Sequence, residues 1–322
     1  MLLTPLSLVL AMSLACTQAD DDSSTETDTV AAGVVGLNPD NFADGALANE
    51  ITTVDCTLSN GTETQCYSIT ITGEPANHEI GPFCPSNISE GAESAGKWIE
   101  SGTLYDLDGD FILALAEFYS DETWQLYEES TGDVNVTTTQ EACEGAAKPD
   151  VEEQYQNHCV ECALEYLADT TYTLEIPVTP TLASSANAID TRGKIGVALS
   201  GVVFDPPAPT DAILAAHTIA AFDDCGGHVN PNTGYHYHAA TGCSTEVEQD
   251  EHAPLIGYAM DGFGLYANAA EGGSEPTDLD DCRGHSDAVL GYHYHVAQAG
   301  ENQFIPCFSG EVVATEGGGP PQ

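Results

Sequence analysis

Polar and β-branched residues alternate along two early segments of the chain, residues 51–54 and 67–72. Because successive side chains of a strand point to opposite faces, a period of two is typical of strands with one buried face. Similar signals return at residues 172–178 and 195–204, and two prolines close the last run. The pattern predicts a strand in each of these segments.

The middle of the chain carries short apolar groups separated by Ser-Gly, Asp-Gly and Thr-Gly pairs, which favour tight turns. We therefore predict a β meander over residues 97–136, with residues 111–113 in one of its strands. Helical spacing of apolar residues instead predicts short helices over residues 139–147 and 151–167.

The composition agrees with a mainly β fold with short helices, because the 322 residues include 31 Gly and 17 Pro and are 42% hydrophobic. Acidic residues outnumber basic ones by 52 to 5, for a formal net charge of -47. Nucleic acid is excluded as a partner, since its phosphates require Lys and Arg that this chain lacks. An anionic membrane surface is disfavoured for the same reason. Salt adaptation and simple solubility both remain open as reasons for the charge.

The N-terminus predicts export. Residues 1–15 form an apolar run that is too short to cross a bilayer as a mature helix. Residues 12–16 resemble the lipobox of bacterial lipoproteins, so we interpret residues 1–16 as a lipoprotein-type signal with Cys16 as the lipidation site. Cleavage after Ala19, giving a secreted chain, is the alternative. The expected location is extracytoplasmic, with membrane contact through a lipid anchor only.

The cysteine count supports the lipid anchor. Of eleven cysteines, removal of Cys16 leaves ten, which can pair completely in an oxidising compartment. Cys159 and Cys162 also have the spacing of half a zinc site, although disulfides are the favoured interpretation. Sequence spacing suggests three local disulfides: Cys56 with Cys66, Cys225 with Cys243, and Cys282 with Cys307.

A duplicated unit stands near the C-terminus. Residues 223–238, the first His unit, match residues 280–295, the second His unit, at an offset of 57 and with ten of sixteen positions identical. Each copy reads Asp-Asp-Cys-x-Gly-His, five residues, and Gly-Tyr-His-Tyr-His. Six of the ten histidines of the chain lie in these units.

The spacing of the histidines indicates metal binding. In an extended strand the two histidines of His-x-His share one face, where their rings can converge on one ion. A third histidine lies across a short loop in each unit, and an all-nitrogen ligand set suits copper or zinc. The predicted metal ligands are His228, His236, His238, His285, His293 and His295.

Five carboxylates near the units are predicted to accept the second ring N–H of the histidines, which fixes the ring orientation. They are Asp223, Asp224, Asp261, Asp280 and Asp281. We further expect the two units to pack about a pseudo-twofold axis and to bring their His-x-His strands into one metal-binding region. A Tyr-His-Tyr-His strand that serves only packing remains the structural alternative.

These motifs, together with residues 195–204 and 254–266, resemble the YHYH family of exported bacterial proteins. The resemblance covers residues 175–311 and implies a domain without an assigned reaction. The predicted organisation is therefore a disordered acidic tether over residues 17–48, a β-rich region over 49–174, a YHYH domain over 175–311 and a flexible tail over 312–322.

Three functions follow from this sequence. The first is an exported lipoprotein whose YHYH domain binds copper or zinc. The second is a metal-dependent hydrolase or oxidoreductase, in which the histidines face a solvent cleft with Asp261 or Glu251 within reach as a base. The third is a structural or adhesive surface domain, in which the histidines lie apart and serve packing. No protein partner can be named.

Overall fold

The computed structural model describes residues 35–167, 169–191 and 193–314. These residues lie in one compact unit of the chain. Strands dominate this part of the protein, and only three α-helices accompany them. The predicted mainly β class with short helices is confirmed. None of the helices in the described ranges has the length and apolar character needed to cross a membrane.

The described elements follow one another along the chain as short strands joined by turns. The strands are β1 (Thr52–Thr57), β2 (Glu63–Ile71), β3 (Lys97–Glu100), β4 (Thr103–Asp106), β5 (Cys159–Val160), β6 (Tyr172–Pro177), β7 (Leu182–Ala188), β8 (Gly196–Ala198), β9 (Val203–Phe204), β10 (Ile219–Ala220), β11 (Gly227–Asn230), β12 (Gly234–Tyr237), β13 (Val247–Gln249), β14 (His252–Ala259), β15 (Gly264–Tyr266), β16 (Gly284–Asp287), β17 (Gly291–His295) and β18 (Cys307–Gly310). The helices are α1 (Gly109–Phe118), α2 (Gln140–Ala146) and α3 (Thr210–Ala215).

The largest sheet has an internally symmetric strand order. Its main path is β11-β12-β9-β8-β14-β15-β17-β16, and β13 pairs with β14 beside this path. Strands β8 and β14 are antiparallel at the centre. On one side, β8 pairs with β9 in an antiparallel hairpin, and β9 then pairs in parallel with β12. On the other side, β14 pairs with β15 in an antiparallel hairpin, and β15 then pairs in parallel with β17. The two halves are therefore related by a pseudo-twofold axis between β8 and β14, and not by the predicted axis between the His units themselves.

This symmetry reveals that the duplication is longer than the two His units. Residues 195–201 and 256–262 share Ile, Gly, Ala and Gly at equivalent places, at an offset of 61. The final glycine of each segment, Gly201 or Gly262, has a φ near +90°, at 87° and 89°. Such a conformation favours glycine, so the same turn is retained in both halves. Each half thus consists of a short hairpin followed by a His unit.

The two faces of the large sheet are covered differently. On the face that carries the histidines, β8, β9, β14 and β15 pack against the three-stranded sheet β1-β2-β6. The buried apolar residues between these layers are Ile69, Ile71, Leu174, Ile176, Val197, Val203, Leu255, Tyr258 and Tyr266. The opposite face buries the tyrosines of the His units with Phe204, Phe304 and Phe308. Both layers remove apolar surface from water, which is the main force that fixes the sheet.

The predicted β meander is only partly correct. Strands β3 and β4 form a hairpin, but residues 109–118 form helix α1 instead of a strand. Asp108 caps this helix by accepting a hydrogen bond from the Phe111 N–H, and Ile112 and Leu115 lie on its buried side. The cap at Asp108 and the spacing of the buried Ile112 and Leu115 favour a helix more strongly than the apolar residues 111–113 favour a strand. Further on, Tyr127 and Val134 form only an isolated bridge.

The two predicted helices have different outcomes. Helix α2 confirms the prediction for residues 139–147. The helix predicted over 151–167 is wrong, because this segment contains two short 3-10 turns and strand β5, which pairs with β10. Two disulfides to different parts of the chain hold the segment extended: Cys159 bonds Cys84, and Cys162 bonds Cys143.

All ten cysteines of the described region form disulfides. The three predicted pairs are confirmed, namely Cys56–Cys66, Cys225–Cys243 and Cys282–Cys307. The half-site for zinc at Cys159 and Cys162 is wrong, since both thiols are used in disulfides. Five disulfides indicate that the protein folds in an oxidising, extracytoplasmic compartment.

The ends of the described region pack against the fold. Leu37 and Ala46 are buried, and the Asn41 side chain donates to the Tyr258 hydroxyl over 2.7 Å. The tether prediction is therefore wrong for residues 35–48. At the other end, the Ala314 N–H donates to the Thr57 carbonyl over 2.7 Å, so residues 312–314 are not a flexible tail.

Several predictions lie outside the described residues. These concern the signal and Cys16, the tether from residue 17 to 34, and the tail from 315 to 322. The predicted boundary between residues 174 and 175 falls inside β6.

Candidate metal centres

Each His unit folds into an antiparallel hairpin, β11–β12 in the first and β16–β17 in the second. The turns have the same design. Asn230 and Asp287 accept backbone N–H groups from inside their turns, and Gly234 and Gly291 follow with φ of 77° and 68°. These left-handed glycines reverse the chain at a position that other residues rarely adopt. The repeated Gly before Tyr-His-Tyr-His is therefore required by the turn.

Hairpin register brings three histidines of each unit to one face. His228 lies directly opposite His236, and His285 lies directly opposite His293. His238 and His295 stand two residues further along the same strands and therefore point to the same face. The structure brings each loop histidine together with its His-x-His pair.

The tyrosines on the other face of the hairpins explain why the loops of the two His units share the same sequence pattern. The Tyr235 hydroxyl donates to Asp223 over 2.7 Å, and the Tyr292 hydroxyl donates to Asp280 over 2.8 Å. Each carboxylate also accepts two N–H groups of its own loop. A side chain at Gly227 would collide with the Tyr235 ring, which explains the glycine that precedes the histidine. Asp223 and Asp280 thus hold the hairpin loops and do not orient the histidines.

The other three predicted carboxylates also fail to contact the histidines. Asp261 is buried and accepts the Tyr294 hydroxyl over 2.5 Å and the Gly310 N–H over 2.9 Å. Burial raises the pKa of Asp261 to about 6. Asp224 forms an ion pair with Lys97 at 3.0 Å, and Asp281 is exposed. The predicted role of all five carboxylates is wrong, because they lie on the tyrosine side of the hairpins or at the surface.

The first His cluster consists of His228, His236 and His238. Their candidate ligand atoms all lie within 4.8 Å of one another. The Nε2 atoms of His228 and His236 are 3.1 Å apart. On the opposite side of each ring, Nδ1 of His236 bonds the Gly234 carbonyl at 2.9 Å and Nδ1 of His238 bonds the Pro206 carbonyl at 2.6 Å.

The second His cluster has four members: His252, His285, His293 and His295. Nε2 of His293 lies 3.0 Å from Nε2 of both His252 and His285. Every Nδ1 atom bonds an oxygen outside the cluster. These bonds are His293 to Gly291 O at 3.0 Å, His295 to Ala267 O at 3.0 Å, His252 to Ala253 O at 2.8 Å, and His285 to Asp278 Oδ1 at 3.0 Å.

The hydrogen bonds of the second cluster determine where the ring protons lie. A carbonyl oxygen or carboxylate can only accept, so each Nδ1 carries a proton, and in a neutral ring Nε2 then has a free lone pair. His293 therefore directs its lone pair at those of His252 and His285. The Nε2 atom of His295 is buried and has no hydrogen-bond partner among the described residues. Four nitrogens that face one another in this way could hold a metal ion, and oxygen bonds to Nδ1 are the usual support of metal-binding histidines.

Distances and pKa values agree with this interpretation. Two nitrogens bound tetrahedrally at 2.0–2.1 Å to one ion lie about 3.3 Å apart, close to the separations of the Nε2 atoms. Burial lowers the pKa of His293 and of His295 to about 4. Burial also lowers the pKa of His236 and His228 far below the usual value. These histidines are therefore neutral near pH 7, as metal binding requires.

The structure adds three polar residues that the sequence did not reveal. His252 precedes the apolar run of β14 and lies outside the duplicated units, so no repeat marks it as a ligand. Asp278 orients His285. In the first half, Asp205 is buried and its Oδ2 atom lies 3.9 Å from Nε2 of His236. The only signal for Asp205 is its place directly after a predicted strand and before Pro206.

The expected shared metal-binding region is wrong. Strands β12 and β17 are separated in the sheet by β9, β8, β14 and β15. Five strand spacings of about 4.8 Å place the two His-x-His strands roughly 24 Å apart. The pseudo-twofold axis therefore relates two independent His clusters.

The two clusters also differ in access. The three histidines of the first cluster line a cavity of about 610 Å³, together with Lys194 and Asp205.

Neither of the two residues predicted from the sequence as a possible catalytic base lines this cavity. Asp261 bonds Tyr294 on the opposite side of its hairpin, and Glu251 is an exposed residue beside His252.

Residues 173–277 match a protein-family model described as YHYH protein. The chain contains a YHYH domain. The matched part of this domain includes the first His unit, β14, β15 and His252, and it ends before Asp278 and the second His unit. No curated protein and no solved structure matches the chain.

Proposed function

We propose that the protein is an extracytoplasmic metal-binding protein whose YHYH domain and adjoining second His unit hold two transition-metal ions, one in each His cluster. The observation that carries this proposal is the arrangement of the second His cluster, where four buried or half-buried imidazoles direct Nε2 lone pairs at one another. Burying acceptor groups together without a donor or cation is unfavourable. A bound cation would accept the lone pairs of all four imidazoles.

Ligand type restricts the metal. Calcium and magnesium prefer oxygen ligands, and neither cluster contains a carboxylate among its grouped ligand atoms. Neutral imidazole suits zinc and copper, and four imidazoles complete a tetrahedral shell. We therefore propose copper or zinc. The packing alternative has little support, because the histidines converge instead of lying apart.

Metal analysis of two double variants tests the proposal. The wild-type protein should hold two equivalents of copper or zinc after dialysis. The His236→Ala/His238→Ala variant and the His293→Ala/His295→Ala variant should each hold one, while His158→Ala, outside both clusters, should hold two. Retention of two equivalents in either double variant contradicts the proposal.

We also propose that Cys16 carries a lipid and tethers the protein to a membrane. The ten other cysteines are all paired in disulfides, which leaves Cys16 as the odd one. Mass spectrometry of the mature N-terminus should detect a diacylglyceryl group on Cys16. A mature chain that begins at Asp20 contradicts this part of the proposal.

An enzymatic role is the second candidate, and one observation favours it. The first His cluster offers three ligands and opens into a cavity, which is the arrangement of catalytic zinc sites, whereas four-ligand sites are typically structural. Any hydrolytic or oxidative activity should therefore be lost in His236→Ala/His238→Ala and retained in His293→Ala/His295→Ala.

A further inference from the structure

The cavity beside the first His cluster has the size of a small-molecule site. Its volume of about 610 Å³ lies within the range of roughly 300–1,000 Å³ that is usual for such sites. Part of its lining is apolar. It includes Val160, Pro207, Ala212 and Ile213.

A metal ion in the first His cluster could also bind a molecule from this cavity, because the cluster supplies only three ligands. The first His cluster supplies three nitrogens, and the nearest carboxylate, Asp205, is not among the ligand atoms grouped with them. A tetrahedral ion held by three nitrogens has one coordination position left. In the second His cluster, His252 supplies the fourth nitrogen, and none of its four histidines lines this cavity.

Charge distribution indicates the kind of ligand. The chain has only five basic residues, yet two of them, Lys148 and Lys194, line this one cavity. Lys194 is held by Asp205, with its Nζ 2.8 Å from Oδ1. Lys148 instead pairs with Glu152, four residues further along the chain, and is the more exposed of the two. A divalent ion held by these histidines would add positive charge beside the cavity, which favours an anion.

Comparison of the two halves shows that this charge is specific to the first site. At the offset of 61 that relates the halves, Lys194 corresponds to Leu255 and Asp205 corresponds to Tyr266. The carbonyls that bind Nδ1 of His238 and His295, on Pro206 and Ala267, also correspond. A largely buried ion pair in the first half thus stands where the second half has a leucine and a tyrosine. Burying such a pair is costly, so a ligand-related role explains it better than stability does.

We propose that the first His cluster and its cavity bind a small organic acid, whose carboxylate takes the open position on the metal and whose apolar body contacts Val160 and Ile213. Lys194, positioned by Asp205, stabilises the carboxylate. A single negative charge fits better than a phosphate dianion in a protein whose formal net charge is -47. This inference rests on the proposed metal binding.

Cobalt substitution tests the inference because its visible absorption reports on coordination. The protein is stripped with a chelator and loaded with Co²⁺, and sodium acetate, sodium benzoate or inorganic phosphate is then titrated. In His293→Ala/His295→Ala, which retains the first His cluster, benzoate should change the cobalt spectrum saturably and bind about 10-fold more tightly than acetate, since its ring contacts the apolar wall. In His236→Ala/His238→Ala, benzoate should leave the spectrum unchanged.

Two lysine variants provide a matched pair. Lys194→Met should weaken benzoate binding at least 5-fold, whereas Lys148→Met should change it less than 2-fold. Equal effects of the two variants overturn the role of Lys194. Tighter binding of phosphate than of benzoate overturns the assignment of a carboxylate.

The possible failures are distinguishable. If neither double variant binds cobalt, metal binding itself is refuted, and the inference with it. If the first His cluster binds cobalt but benzoate has no effect on its spectrum up to solubility, only the inference is refuted.

Discussion

The two His clusters are built on the same hairpin but end in different surroundings. In both, register places a loop histidine opposite a His-x-His strand. The second cluster then gains His252 from β14 and is walled by Tyr266, whereas the first faces a cavity and the Asp205–Lys194 ion pair. Local sequence therefore places three candidate ligands together, and the neighbouring strands determine whether the cluster is closed or open.

This comparison predicts that the second metal contributes more to stability, and this is the largest effect we expect. A ligand at 1,000 times its Kd stabilises the folded state by about 4 kcal/mol. Each double variant loses one metal, and His293→Ala/His295→Ala should lower Tm several degrees more than His236→Ala/His238→Ala does, because the closed site binds its ion more tightly. Calorimetry with saturating zinc measures the difference. A larger loss from the first cluster would reverse our assignment of the closed and open sites.

The loop carboxylates offer a second contrast between the halves. Asp223 is fully buried and Asp280 is exposed, although both accept a tyrosine hydroxyl and two loop N–H groups. Buried donors left without an acceptor cost about 1–3 kcal/mol each, and exposed ones can bond water. Asp223→Ala should therefore reduce the free energy of unfolding by about 3 kcal/mol and Asp280→Ala by about 1 kcal/mol. Urea denaturation of the two variants gives both values, and equal losses would contradict this explanation.

Much of this fold was predictable because its signals are local. Period-two alternation identified β2 and β6, and the repeat identified both hairpins and six of the seven clustered histidines. Helix α1 was missed because its apolar residues resemble a strand when the cap at Asp108 is ignored. The disulfides that shape residues 151–167 were not predicted, because Cys159 and Cys162 are only three residues apart and spacing cannot decide which of them pairs with Cys84 and which with Cys143.

The separation of the two sites was not predictable for a different reason. A repeat implies symmetry but not the distance of each copy from the axis. The hairpins β8–β9 and β14–β15 lie between the His units in the sheet, and their weaker similarity was not apparent as part of the repeat. His252 belongs to that intervening strand pair, so its role depends entirely on strand order.

Removal of His252 should convert the closed site into an open one. We expect His252→Ala to weaken zinc binding at the second cluster by about 10- to 100-fold, because one of four ligands is lost. Competition with a chromogenic chelator measures the change in affinity. The matched variant His217→Ala, outside both clusters, should leave affinity unchanged. An unaltered affinity in His252→Ala would exclude His252 as a ligand.

The lowered pKa values predict how the metal-free protein responds to acid. Folded His293 and His295 bind protons only near pH 4, but the unfolded chain binds them below about pH 6.5. The unfolded state therefore holds more protons between these values, and stability falls as pH decreases through this range. Each histidine should contribute about 1.4 kcal/mol per pH unit.

Asp261 has the opposite effect on stability, because its pKa in the folded protein, about 6, is above the ordinary value of 3.8. Its contribution to stability therefore rises as pH decreases through this range. Denaturation curves at several pH values should therefore be compared with those of His293→Ala/His295→Ala, in which the Asp261 contribution is unchanged. The difference in unfolding free energy between the two proteins should shrink as pH falls from 6.5 to 4. A difference that is independent of pH would show that these histidines are not held neutral.

The central claim is that one chain holds two separate metal ions in its two His clusters. An anomalous difference map from crystals of the purified protein, recorded at the zinc or copper edge, tests it directly. We predict two peaks per chain, one on the Nε2 atoms of His228, His236 and His238 and one on those of His252, His285, His293 and His295, about 24 Å apart. A single peak bound by histidines of both units, or no peak in protein purified without chelators, would contradict the claim.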